Sequence, residues 1–114
     1  MAQNVFLDII AGKIPCDKVY EDDDVFAFRD LNPAAPTHVL IVPKKPIATL
    51  NDLTDDDAAL VGRMLLAAQK IAAHEGLTTR GYRTVFNCNE DAGQTVFQIH
   101  LHLLGGREMT WPPG

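Results

Sequence analysis

The chain has 114 residues, one domain by length, and enough of them to bury over about 60% of the unfolded surface. Its formal net charge of −5 and the lack of any basic run exclude a general nucleic-acid backbone binder. No stretch approaches the roughly 20 apolar residues of a membrane span, the N-terminus has no basic, apolar leader pattern, and Cys16 and Cys88 fit reduced thiols, so a cytoplasmic protein is expected.

In chain order, Asn4 to Gly12 predicts a short helix. Phe6, Ile9 and Ile10 share a face, and Gly12 supplies a stop. Lys18–Glu21 and Val25–Arg29 predict the strands of a hairpin. The Asp22-Asp23-Asp24 turn between them lacks the spacing of a calcium loop and reads as a solvated turn. Asp30 to Pro36 is a loop punctuated by Pro33 and Pro36. Asp30 stands at a strand end, where a carboxylate either closes the turn or accepts both hydroxyls of a ribose. Thr37–Pro43 is nearly continuously apolar, which predicts a central strand. His38 at its start is either a satisfied core histidine or part of a site.

Lys44 to Asp52 predicts a loop. Thr54 with Asp57 resembles a capping box with Asp in place of Glu, and a long helix is expected from about Asp55 to about Glu75. Leu60, Val61, Met64, Leu65, Ala68, Ile71 and Ala72 form its apolar stripe, wide enough for core packing or a dimer interface, and Gly76 is its cap. Tyr82 to Asn87 predicts a strand that ends with the Asn87 amide in reach of a phosphate or sugar. Strands joined by short turns around one long helix imply an α+β domain over residues 1–114, with an antiparallel sheet.

The stretch from Thr95 to Gly106 alternates strictly. Phe97, Ile99, Leu101 and Leu103 point one way; Val96, Gln98, His100, His102 and Leu104 point the other. Side chains at i and i+2 of a strand lie roughly 6.6–6.8 Å apart on one face. Gln98, His100 and His102 therefore read as a row beside a ligand face, with the apolar row under the helices. Two such histidines are a chance pair, half of a tetrahedral metal shell, or a nucleophile with its partner. Gly93-Gln94-Thr95, just before the row, can turn backbone N–H groups and a hydroxyl towards an anion.

The run Gly93-Gln94-Thr95-Val96-Phe97-Gln98-Ile99-His100-Leu101-His102-Leu103-Leu104-Gly105-Gly106-Arg107, with the terminal Trp111-Pro112-Pro113-Gly114, resembles the signature of the histidine triad superfamily, nearest to its Hint-type phosphoramidases. Gln98 stands where that signature has its first histidine. The resemblance implies a sheet of about five strands with one long and one short helix. It also implies a homodimer with one continuous sheet, and a tail, residues 107–114, docking near the partner's site. It implies hydrolysis at the α-phosphorus of purine nucleoside phosphoramidates or acyl-adenylates through a nucleotidyl-histidine. By this resemblance His100 is the nucleophile, oriented by the carbonyl of residue 98, and His102 and His38 serve the phosphate and proton transfer. Asp30 matches the ribose-binding aspartate. Phe6, Ile9 and Leu31 would line the base pocket, Gly93, Gln94, Thr95 and Val96 the phosphate, with Asn87 nearby and Trp111 in the tail.

Some bacterial members of that superfamily carry a structural zinc, held in part by a Cys-x-x-Cys and a histidine. Here those places are Asn4, Leu7 and Pro46, so no metal and no cofactor are expected. Two other function classes remain: a nucleotide-binding module without turnover, for which Gln98 would be the mark, and an interaction protein read through the long helix or the tail.

Overall fold

The computed structural model describes residues 4–114. Five strands, β1 (Lys18–Glu21), β2 (Val25–Arg29), β3 (Thr37–Pro43), β4 (Tyr82–Phe86) and β5 (Leu101–Gly105), form one sheet in the order β1-β2-β3-β5-β4. Every neighbouring pair is antiparallel. The central position of β3 explains its unbroken apolar sequence. Val39 and Ile41 join Val25, Ala27, Leu101, Leu103 and helix α2 (Ala58–His74) on one face, while Leu40 and Val42 join Phe26, Phe28 and Phe6 of helix α1 (Val5–Ile10) on the other. A strand buried on both faces loses the polar half of its alternation.

The turns are fixed by side-chain caps. The Asp22 carboxylate accepts from the N–H groups of Asp24 and Val25, both at 2.8 Å, and so closes the β1–β2 hairpin. Asn4 caps α1 by accepting from the Leu7 N–H at 3.2 Å. Asp57 accepts from the Thr54 N–H at 3.0 Å and pairs with Lys45 at 2.5 Å. At its C-terminus α2 ends in two reversed bonds, Leu77 N–H to Ala72 C=O at 2.9 Å and Gly76 N–H to Ala73 C=O at 3.2 Å. Gly76 sits at φ +75°, which a side chain would oppose.

The structure departs from the expected elements in several places. The first turn at Asp55–Asp57 is a 3₁₀ turn, so the α-helix begins at Ala58. Another 3₁₀ turn, Leu50–Asp52, capped by Thr49, interrupts the expected loop. The buried stripe of α2 contains Leu60, Met64, Ala67, Ala68, Ile71 and Ala72. Val61 is only half-buried and Leu65 is 47% exposed. The helix meets a single sheet on one side, and residues flanking that narrow arc stay out. The strand expected from Val96 begins only at Leu101, where the ladders to β3 and β4 both stop, at the Ile41–Leu101 and Phe86–Leu101 pairs, so residues 95–100 belong to neither ladder. Phe97, expected in the core, is instead 52% exposed. Only α2 covers the Leu101/Leu103 face; α1 lies across the histidine side. No described helix is long and apolar enough to cross a membrane, and Cys16 and Cys88 are both free.

Met64 is wholly buried at the centre of the α2–sheet contact. Met64→Ala should lower stability by about 2–5 kcal/mol in urea melts, through lost transfer energy and the cavity left behind.

Candidate active site

β3 and β5 bring two histidines together. The register opposes His38 to Leu104 and Leu40 to His102, which makes His38 and His102 diagonal neighbours on one face. Their rings meet with His38 Nε2 2.9 Å from His102 Nδ1. His100 lies one residue before β5, its ring centroid 4.9 Å from that of His102 and 4.9 Å from Phe6, whose edge stands nearly perpendicular to it.

Two backbone groups of opposite polarity set the proton positions. The Ala34 N–H donates to His38 Nδ1 at 3.0 Å, so that nitrogen presents a lone pair and Nε2 carries the proton. Nε2–H donates on to His102 Nδ1, with the Asp30 carboxylate 3.5 Å away, and leaves Nε2–H of His102 as a free donor. On the other side the Gln98 carbonyl, which can only accept, receives His100 Nδ1–H at 2.8 Å. His100 Nε2 is left with its lone pair. Burial pushes all three imidazoles below their ordinary value near 6.5. His102 falls furthest, to about 4, by burial first and then by the neighbouring His100 and His38. Neutral rings are the state in which such a chain of alternating donors and lone pairs is consistent.

His100 and His102 line a cavity of about 410 Å³ between α1 and the sheet. Of the residues expected at a site, Phe6, Ile9, Asp30, Leu31, Asn87, Gly93, Thr95 and Val96 line it too. Four do not. His38 backs His102 from behind. Trp111 is 82% exposed, its ring 6.0 Å from the Arg83 guanidinium. Gln98, read as facing ligand, turns its side chain inward, as does Gln94, and the N–H groups of Gly93 and Gln94, expected to face an anion, donate instead to the Glu90 and Asn89 carbonyls at 2.9 and 3.1 Å. Gln94 donates to the Ala48 and Val96 carbonyls at 2.8 and 3.1 Å and accepts from the Asn89 N–H at 2.8 Å. Gln98 is wholly buried and grips residues 43–47. The loop lacks ladder partners, so these amides supply them. The sequence reading missed Phe28 and Leu40, which pair across β2 and β3 and floor the cavity, and the returning segment Ile14, Pro15 and Cys16. The strand parity that aligns Leu40 with His38 was the available signal.

Asp30, His38 and His102 offer three donor atoms within 4.8 Å of one another. A metal on His38 Nε2 would need the proton on Nδ1, facing the Ala34 N–H. That conflict suits the cluster to a proton chain rather than an ion. At the places linked to zinc by resemblance, Asn4 reaches the Gln98 amide at 3.2 Å rather than a thiolate set.

The depressed imidazoles set the sign of a pH effect. An unfolded histidine binds its proton near pH 6.5, whereas folded His102 resists it until about 4. Between those values the unfolded chain holds more protons, so stability is full above 6.5 and is lost as the pH falls. With solvent screening of the ring, His102 should account for about 1–2 kcal/mol between pH 7 and 4.5. Urea melts at the two pH values should show the loss, and His102→Gln should reduce the slope.

Known proteins resemble this chain in sequence and in fold. The family model described as HIT domain matches residues 11–109. Purine nucleoside phosphoramidase of Escherichia coli K12 is 49% identical over 107 residues, covering 94% of this chain and 90% of that protein. The crystal structure of a HIT family hydrolase from Legionella pneumophila Philadelphia 1 superposes with a TM-score of 0.96 at 56% identity, over 98% of this chain and 100% of that one. A histidine triad protein from Clostridium difficile superposes with a TM-score of 0.91 at 42% identity, over 96% and 97%. With the fold, the family match and the paired histidines in agreement, the chain belongs to the HIT domain family.

Proposed function

We propose that this chain hydrolyses the P–N bond, or the acyl-phosphate P–O bond, at the α-phosphate of purine nucleoside phosphoramidates and acyl-adenylates. The observation that carries the reading is His100 in the cavity wall, its Nδ1–H committed to the Gln98 carbonyl and its Nε2 lone pair left for attack. The name borne by the Escherichia coli relative supports the substrate class.

His100 Nε2 attacks phosphorus in line. The P–N or P–O bond breaks, its electron pair leaves with the amine or carboxylate, and a nucleotidyl-histidine forms. Water then attacks the same phosphorus, breaks the P–N bond to His100 and releases the nucleoside monophosphate. Covalent catalysis of this kind replaces one hard displacement by two easier ones. His102 Nε2–H, oriented through His38, serves the phosphoryl oxygens and the proton transfers. The Thr95 hydroxyl and the backbone N–H of Val96 hold phosphoryl oxygens whose charge changes along the path, on a turn that Gly93 and Gln94 close with their own N–H groups. Gln94 supports that turn rather than the phosphate, because its N–H donates to the Asn89 carbonyl at 3.1 Å and its side chain is engaged as well. Asp30 accepts the ribose hydroxyls with Asn87 nearby, and Phe6, Ile9 and Leu31 enclose the base.

Quaternary structure belongs to the same proposal. Among the described residues β4 pairs only with β5, which leaves one side of its backbone as an edge of the sheet. The tail at 107–114 runs beside it, with Arg83 Nη2 donating to the Thr110 carbonyl at 2.9 Å and the Trp111 ring exposed. A second copy joined edge to edge would extend the sheet and receive that ring beside its site.

His100→Ala should abolish turnover of an adenosine phosphoramidate while keeping nucleotide affinity within about tenfold, since a nucleophile acts mainly in the transition state. Turnover equal to the parent protein would rule out the assignment. Sedimentation at micromolar concentration should give the mass of a dimer, and a monomer would contradict the edge-to-edge arrangement.

A further inference from the structure

The Gln98 side chain makes an unusual set of contacts for a residue next to a reaction centre. It is wholly buried, and every hydrogen-bonding site of its amide is filled. Nε2 donates to the carbonyls of Pro43 and Lys45 at 3.0 and 2.8 Å. Oε1 accepts from the Ile47 N–H at 3.1 Å and from Asn4 Nδ2 at 3.2 Å. Next to it, the Ile99 N–H donates to the Ile47 carbonyl at 2.8 Å. An amide offers two donors and one oxygen with two lone pairs, and here all are used. A neutral imidazole at this position has one donor and one acceptor, so it would leave two of the four partners bare.

Asn4 extends the connection to helix α1. Its Oδ1 caps the helix at the Leu7 N–H while its Nδ2 reaches Gln98. Two residues on, Phe6 sets its ring edge against His100. One side chain therefore joins the 43–47 segment, α1 and the peptide whose carbonyl orients His100.

We propose that Gln98 is a positioning residue, whose side-chain amide, with Asn4, holds the 98 carbonyl and α1 in place and so keeps His100 as the single tautomer that leaves Nε2 free. The proposal rests on the reading of His100 as nucleophile for its effect on rate, but not for its effect on the tautomer. Gln98 lines no part of the cavity, so it acts through His100 rather than on substrate. The amide is not a vestige of a lost imidazole. It does what an imidazole could not do among these four partners.

The test uses Gln98→Leu, Gln98→His and Asn4→Ala, each compared with the parent protein. The readouts are thermal unfolding, kcat and KM on an adenosine phosphoramidate, and the ¹⁵N shifts of the His100 ring. The parent should show a protonated Nδ1 and a bare Nε2. Gln98→Leu should lower kcat by about tenfold or more with KM within about threefold, and its His100 signals should move towards a mixture of tautomers. Gln98→His should move in the same direction, because two partners stay unpaired. Asn4→Ala removes one bond of the four together with the α1 cap and should give a smaller loss, about two- to fivefold; it carries the test if the Gln98 variants do not fold, because loss of the cap alone would lower the unfolding temperature without moving the His100 ring shifts. Unchanged kcat with an unchanged His100 spectrum overturns the proposal. So does a fall in unfolding temperature alone, which would make Gln98 purely structural. If His100→Ala keeps full turnover, the catalytic reading fails, while the ¹⁵N shifts of the Gln98 variants still decide whether the amide holds the tautomer.

Discussion

Everything at the site hangs on a carbonyl that no strand holds. The Gln98 C=O receives His100 Nδ1–H at 2.8 Å, yet it lies in the irregular run before β5. A peptide in such a run turns easily unless other groups oppose it. Here the opposition comes from buried amides. Gln94 ties the loop to Ala48, Asn89 and its own Val96, and Gln98 ties it to residues 43–47 and to Asn4. Among the described residues no buried side-chain nitrogen or oxygen lacks a partner. A buried polar atom left unpaired costs about 1–3 kcal/mol, so a loop stapled in this way has one favoured arrangement and steep alternatives.

The opposite wall follows the same logic with the polarity reversed. At His38 the fixed backbone group is a donor, the Ala34 N–H, and the proton is displaced outward to His102. Burial then keeps the rings neutral, and Asp30, 3.5 Å from His38, only partly offsets it. The cavity thus presents a lone pair at His100 beside an N–H at His102. Each follows from a main-chain atom, and main-chain atoms do not depend on residue type. The side chains decide only whether those atoms stay where they are.

This division explains what the sequence disclosed. Strands β1, β2 and β3 were legible to the residue, because alternation, the Asp22 turn and the unbroken run from Val39 to Val42 are local signals. Helix α2 was legible in its stripe and in Gly76, while Val61 and Leu65 were over-assigned because periodicity marks a face and not the width of contact. The histidine pair was legible as same-face chemistry. Gln98 was misread as ligand-facing, and the N–H groups of Gly93 and Gln94 as open to an anion. Alternation continues through residues 95–100, but without a ladder partner it no longer reports direction, and the amides' partners lie far away in sequence, at Asn4 and at residues 43–48. The places of Phe6 and Ile9 came from resemblance alone, since apolar residues on a short helix suit a core equally well.

The last constraint is on α1. It is a six-residue helix, and helices so short do not persist in water on their own. Val5, Ile9 and Ile10 pack on the smaller core, and two further anchors hold it: Phe6 on Phe28, and Asn4, which caps the helix while bonding Gln98. Both anchors also belong to the site. The same Phe6 ring that buries itself against Phe28 meets His100, and the same Asn4 that starts the helix completes the Gln98 amide. The helix is therefore held in part by the loop before β5, and the Gln98 amide is fully paired only when the helix is there. The wall of the cavity and the orientation of its histidine thus share the same two side chains, Asn4 and Phe6.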